Sequence, residues 1–162
     1  MKVIIVSDSH GSFGVLKKIV ARESPFDQLM HLGDGLEDLH RLRRIVEFNF
    51  DCVNGNGDPP GMYPLDLTLT LGGQVCFFSH GHHYGVTRGI EKLVSAAKKN
   101  QARYAFFGHT HQPFRERIRG IAIFNPGSIC AYLSPKPSYI RWEIGRSEPV
   151  LLEIEPPMPR AQ

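Results

Sequence analysis

The 162-residue sequence predicts an α/β domain, and three observations carry that prediction. Short β-branched runs alternate with helical periodicities through the first third of the chain, the order of a right-handed unit with parallel strands. A segment of clean period two and a Gly-Gly turn come next, followed by further strand-like runs. Most of the earlier apolar runs end on a carboxylate, an amide or a histidine.

The elements follow in order. Residues 3–6 are apolar and β-branched before Ser7-Asp8-Ser9, which reads as a buried parallel strand. Ser12 is placed to cap a helix whose apolar positions are Val15, Leu16, Ile19 and Val20, with Pro25 ending it. Residues 27–32 form a second strand, stopped by Gly33-Asp34-Gly35. Leu36, Leu39, Leu42 and Ile45 then mark a helix, and residues 50–53 a third strand before the Asn54-to-Gly61 loop. Leu65, Leu67, Leu69 and Leu71 alternate with polar residues up to Gly72-Gly73, and residues 74–79 return as the hairpin partner. A helix is expected over 86–99 and a buried strand over 104–107. Residues 113–118, 121–124, 138–144 and 150–155 read as mostly antiparallel strands, with a frayed Pro-rich tail over 156–162.

Length and composition favour one domain spanning 1–162, large enough to bury roughly 68–70% of its unfolded surface. With 41% hydrophobic and 22% charged residues, disordered, collagenous and disulfide-scaffold classes are excluded. The apolar run at the start is shorter than the roughly 7–15 residues of a signal core, and nothing approaches the ~20 of a membrane span. Three scattered cysteines without a C-x-x-C pair suit reduced thiols, so the expected location is the cytoplasm, away from membranes. A net charge of +3 neither requires nor excludes nucleic acid. Histidine, with eight copies, is the outlier.

Position gives those histidines meaning. Successive strand ends present Asp8 and His10, Asp34, Asn56, His80, and His109 with His111. Open α/β sheets bind ligands outside the carboxyl ends of their strands. Taken singly, each residue has an ordinary reading as a turn or loop residue; together they describe a metal site assembled from distant parts of the chain. His31, His40 and His83 are set aside as structural or solvated. With no cysteine ligands a structural zinc ribbon is excluded, and oxygen plus imidazole suits Mn2+, Fe2+, Co2+, Ni2+ or Zn2+. Seven candidate ligands are too many for one tetrahedral ion and fit two ions sharing a carboxylate.

The ordered blocks Asp8-Ser9-His10-Gly11, Gly33-Asp34, Gly55-Asn56-Gly57-Asp58, His80-Gly81-His82 and Gly108-His109-Thr110-His111 resemble the calcineurin-like metallophosphoesterases. Within them the chain is most similar to the small YfcE-type phosphodiesterases, as is Asn125-Pro126-Gly127-Ser128. The resemblance implies a four-layer α/β/β/α sandwich with two divalent ions, Mn2+ foremost, at one end of the sheets. It implies one ion on Asp8, His10 and His111, and another on Asn56, His80 and His109, with Asp34 bridging. It further implies phosphodiester hydrolysis by a metal-bridging hydroxide, a small-molecule phosphoester as substrate, and a homodimer as the assembly of small relatives.

One position departs from the pattern. Relatives carry histidine, or in this subgroup usually cysteine, after the amide ligand, where histidine assists the leaving oxygen; here Gly57 stands. The catalytic set carried over is therefore Asn56, with the leaving-group role either empty or passing to His82 or Asp58. Two rival functions follow from the same features. The retromer scaffold subunit shares the implied fold but departs at the position of His10. A nuclease would use Arg115, Arg117 and Arg119 along one strand face, with Arg41, Arg43 and Arg44 close in sequence, although no stacking aromatics accompany them.

Overall fold

The computed structural model describes residues 1–134 and 136–155, so the tail expected to fray lies outside the described residues. The first strand, β1 (Lys2–Val6), has two buried faces, and that alternation builds the layers. Val3 and Ile5 face one core; Ile4 and Val6 face another. β1 pairs in parallel with β2 (Gln28–His31), and β2 with β3 (Phe50–Cys52), as the β-α-β-α-β opening predicts. The intervening helices α1 (Phe13–Glu23) and α2 (Leu36–Arg43) lay Leu16, Ile19 and Leu39 on the Ile4–Val6 face.

The second sheet begins with the predicted hairpin, β4 (Asp66–Leu71) against β5 (Gln74–Ser79), in antiparallel register. It continues through β6 (Tyr104–Phe107), β7 (Pro113–Ile118) and β8 (Ile121–Pro126) in the order β4-β5-β6-β8-β7. The helix α3 (Glu91–Lys99) packs Leu93, Val94 and Ala97 against Phe77, Ala105, Phe107 and Ile123 on its outer face. β9 (Ser138–Glu143) and β10 (Val150–Glu153) return to the first sheet, which reads β10-β9-β1-β2-β3. The two five-stranded sheets thus face each other between helical layers, the predicted sandwich. Phe78, Phe106 and Phe124 stack in the inter-sheet core at centroid distances of 5.2 and 5.6 Å, beside Trp142. Burying each such side chain contributes about 1.5–3 kcal/mol.

Two expectations are corrected. The helix expected from residue 86 starts at Glu91, because Gly89, at φ 159°, breaks the backbone between Val86 and Glu91. Ser12 occupies the N-cap position, yet its hydroxyl accepts from the Ala131 N–H at 3.2 Å and not from the helix. The C-terminal strands are mostly antiparallel as expected, with β8 also lying parallel to β6. Among the described residues no helix is long and apolar enough to cross a membrane.

Candidate metal centre

β1, β2, β3, β5 and β6 each deliver a polar loop to one shared edge of the sandwich. Neighbouring loops within each sheet are tied by backbone bonds: Asp8 N–H to Gly33 O (3.0 Å), His10 N–H to Asp34 O (3.2 Å) and Gly108 N–H to His80 O (3.1 Å). Asp8, His10, Asp34, His109 and His111 all adopt left-handed backbone, with φ between 41 and 67°. Such conformations cost of order 1–3 kcal/mol each for residues other than glycine, and persist where surrounding structure imposes them. Glycine is required where those loops touch. A Cβ on Gly108 would lie 2.0 Å from Ser7 Oγ, and one on Gly55 2.0 Å from Asp34 Oδ1.

Both buried carboxylates are held by one oxygen and present the other. Asp34 Oδ1 accepts from the Gly57 N–H at 2.7 Å, which leaves Oδ2 3.4 Å from His80 Nε2 and 3.8 Å from His10 Nε2. Asp8 Oδ2 accepts from Ser7 Oγ–H and, at 3.1 Å, from the His109 N–H. Its Oδ1 lies 3.1 Å from His111 Nε2 and 3.6 Å from His10 Nε2. Burial alone would raise both carboxyls, but the histidines beside them outweigh it and hold both below the usual range.

The histidines complete two clusters whose ligand atoms lie within 4.8 Å of one another: Asp8, His10 and His111, and Asp34, His80 and His109. His80 donates from Nδ1 to Leu32 O at 2.7 Å, so its Nε2 lone pair faces Asp34 Oδ2 and, at 3.1 Å, Asn56 Oδ1. His10 Nε2 and His111 Nε2 approach to 3.2 Å. Acceptor atoms therefore converge on acceptor atoms, and either a proton or a cation must lie between them. The contact with Asp8 raises His10 above its ordinary 6.5; burial opposes the same rise at His80, where Asp34 and Asp8 prevail. A divalent cation in each cluster satisfies all of these lone pairs at once, and the hard, cysteine-free donor set suits one. Asp34 Oδ2 reaches histidines of both clusters, at 3.4 and 3.8 Å, and Asp8 Oδ1 does so more loosely, lying 4.0 Å from His80 Nε2.

Both carboxylate oxygens of Asp58 are taken up by backbone donors. Oδ2 accepts from the N–H groups of Asp34 (2.7 Å) and Gly55 (2.9 Å), and Oδ1 from those of Gly35 (2.9 Å) and Leu36 (3.0 Å). These four donors overcome the effect of burial and lower its pKa, which suits a clamp on the loops it joins better than a proton donor. The Gly57 amide completes the same clamp from the other side. His82 does lie beside the centre, with ring centroids 5.3 Å from His80 and 6.2 Å from His109. Its Nδ1 is buried without a partner, and burial followed by the neighbouring His80 lowers its pKa.

The residues set aside separate cleanly. His83 pairs with Asp66 at 3.2 Å, and His40 stacks on Tyr63 at 5.7 Å. His31 is fully buried, accepting from the Gly33 N–H at Nδ1 and meeting Ser9 Oγ at 3.3 Å. Ser9 in turn donates to Asp38, which also accepts the Gly11 N–H, so this chain of contacts fixes the Asp8–Gly11 loop. Two further supports come from the Asn125-Pro126-Gly127-Ser128 block. Ser128 Oγ–H donates to Asp8 O at 2.8 Å, and Asn125 Nδ2–H to Gly108 O at 3.0 Å. The arginines form no single strip. Arg119 sits in the turn after β7 with φ 51°, Arg117 lies 3.9 Å from Glu148, and Arg41 lies over the Phe13 ring on the opposite outer layer.

Comparison with known proteins places this geometry. The profile of the calcineurin-like phosphoesterase superfamily domain matches residues 1–147. The probable metallophosphoesterase YsnB of Bacillus subtilis is 35% identical over 130 residues, covering 80% of this chain and 75% of the relative. A solved archaeal phosphodiesterase has a TM-score of 0.78 at 22% identity, covering 95% of this chain and all of that one. Vps29 of Entamoeba histolytica, solved with Zn2+, has a TM-score of 0.75 at 22% identity, covering 94% of this chain and 91% of that one.

Proposed function

This chain belongs to the calcineurin-like phosphoesterase superfamily, and we propose that it is a phosphodiesterase of the YfcE type working with two divalent ions, Mn2+ foremost. The observation that carries the reading is the meeting of two three-residue ligand clusters with Asp34 Oδ2 directed at histidines of both. Asp8, His10 and His111 would hold one ion, and Asn56, His80 and His109 the other, with Asp34 between them. When bound, such a pair supplies Lewis acidity that withdraws charge from the phosphoryl oxygens and makes water nucleophilic near neutral pH.

The chain's own groups do the rest. The Leu32 carbonyl fixes the ring of His80, and the Gly57 amide fixes the carboxylate plane of Asp34. Asp58 holds the Asp34 and Asn56 loops at a constant separation. In the overall reaction the P–O ester bond breaks and water adds, giving a phosphomonoester and an alcohol, one water proton passing to the leaving oxygen. Gly57 offers no side chain for that transfer, and burial followed by the neighbouring His80 lowers the pKa of His82, which disfavours the protonated form that could donate. The leaving groups that suit this site are those that depart as anions, such as aryl oxides.

Manganese-dependent hydrolysis of bis(4-nitrophenyl) phosphate tests the proposal. Activity that disappears in His109→Ala and Asp34→Asn supports it; turnover persisting in both variants contradicts it. The second reading, a protein-interaction scaffold of the same fold, draws on the likeness to Vps29. Retention of His10 within its cluster favours the enzyme, and a folded, manganese-loaded protein without any turnover would favour the scaffold.

A further inference from the structure

Two cavities adjoin the candidate metal centre from opposite layers of the sandwich. The first, about 450 Å³, begins at His10 and Asp34, passes Gly57 and Met62, and reaches Arg44 beyond α2. The second, about 440 Å³, begins at His109 and is walled by Val86, Ile90, Phe107 and Phe114. They share no lining residue. One lies under the helix covering the first sheet, the other under the connection into α3 on the second sheet, so the centre stands between them.

Their chemistry differs. Apart from the His109 imidazole, the second cavity has no ionisable lining group. Its aromatic wall is an edge-on pair, Phe107 and Phe114, with centroids 5.8 Å apart at 62°. Thr87 and Thr110 also line it. The first cavity carries Glu37, Asp38 and Arg44 as well as its apolar wall. Both are of the size that encloses small organic groups.

A phosphomonoester has one organic arm and would leave one cavity filled with water, whereas a diester has two. From this geometry we infer that the substrate is a diester whose two arms occupy the two cavities, an uncharged aromatic one seated between Val86 and Phe114 and the other beside Gly57. The inference rests on the phosphodiesterase reading and names its substrate class.

Dibenzylphosphinate, a diester mimic with methylenes in place of the ester oxygens, tests it by binding alone, with diethylphosphinate as the short-armed reference. Calorimetric titration of the manganese-loaded protein should show dibenzylphosphinate binding roughly tenfold tighter or more, as expected for a ring-sized apolar group leaving water. Thr87→Trp, a substitution at an exposed lining residue, should abolish that advantage and leave diethylphosphinate within about twofold. Met62→Trp should weaken dibenzylphosphinate from the other side. Equal binding of the two phosphinates to the unsubstituted protein overturns the inference, as does a Thr87→Trp variant that keeps the preference. Turnover of bis(4-nitrophenyl) phosphate separates the premise. Turnover without arm-dependent binding refutes the two-cavity inference alone, and arm-dependent binding without turnover refutes the catalytic reading alone.

Discussion

Asp58→Asn separates a clamp from an acid. The carboxylate accepts four backbone N–H groups, two at each oxygen, across the Asp34–Leu36 and Gly55 segments. Asparagine keeps one acceptor oxygen and turns an NH2 group toward the other pair of donors. Hydrogen bonds to a charged group contribute about 1.5–3 kcal/mol each, and a buried donor left unpaired loses its solvation as well. Asp58 is 8% exposed, so water recovers part of the loss, and the net destabilisation should be about 2–4 kcal/mol. For a chain of this size that lowers Tm by roughly 5–15 °C, read by circular dichroism on the metal-free protein. Because the Asp34 amide loses its anchor, phosphodiester hydrolysis should fall by a similar factor for aryl and alkyl leaving groups. An acid would behave differently, losing about 10²–10⁴-fold only where the leaving oxygen needs a proton. An unchanged Tm with a loss confined to alkyl diesters would refute the clamp.

Other predictions follow from the same contacts. With Gly57 in place, aryl diesters should be cleaved about 10²–10⁴-fold faster than alkyl diesters at saturating Mn2+; equal rates would remove the argument from the missing side chain. Glu23 is 2% exposed and accepts from the Tyr139 hydroxyl at 2.5 Å, with Lys2 at 3.1 Å. Glu23→Gln should lower stability by about 2–3 kcal/mol in urea unfolding at neutral pH, the partly exposed cations recovering some solvation. Burial raises the Glu23 carboxyl, but Tyr139 and Lys2 prevail and lower it. Its contribution is therefore full above the ordinary 4.5 and lost as pH falls through the lower folded value. The gap between wild type and variant should narrow on acidification; a constant gap would contradict the assignment. Burial pushes the Cys52 and Cys76 thiols up to about 12, so neither should react with an aromatic disulfide reagent at mildly alkaline pH until the protein unfolds. Rapid labelling of either cysteine in the native protein would show otherwise.

The legible part of this fold was the part written in local periodicity. Residues 74–79, 104–107 and 113–118 form strands with the bounds that their sequence predicts, because alternation and flanking glycines act over a few residues. The segment from Val86 to Ile90 matched a helical period but packs as an irregular connection, with Gly85 and Gly89 in conformations only glycine adopts readily. Among the site residues, the candidate ligands were visible because each follows a strand. The roles of Asp58, His31 and Ser128 were not, since each acts on backbone or side chains brought near by folding. Ser128 meets the Asp8 carbonyl across 120 positions of sequence. The left-handed backbone at Asp8, His10, Asp34, His109 and His111 was equally hidden, because aspartate and histidine only tolerate that conformation and the distant contacts impose it.

On the proposed reading, the two clusters around Asp34 hold two ions for phosphodiester hydrolysis. The most direct test follows the rate of bis(4-nitrophenyl) phosphate hydrolysis as Mn2+ is added stepwise to metal-free protein. Turnover should be absent without metal and rise to level off near about two equivalents of metal per chain. Full turnover in the presence of a chelator, or none at any Mn2+ concentration, would contradict that reading.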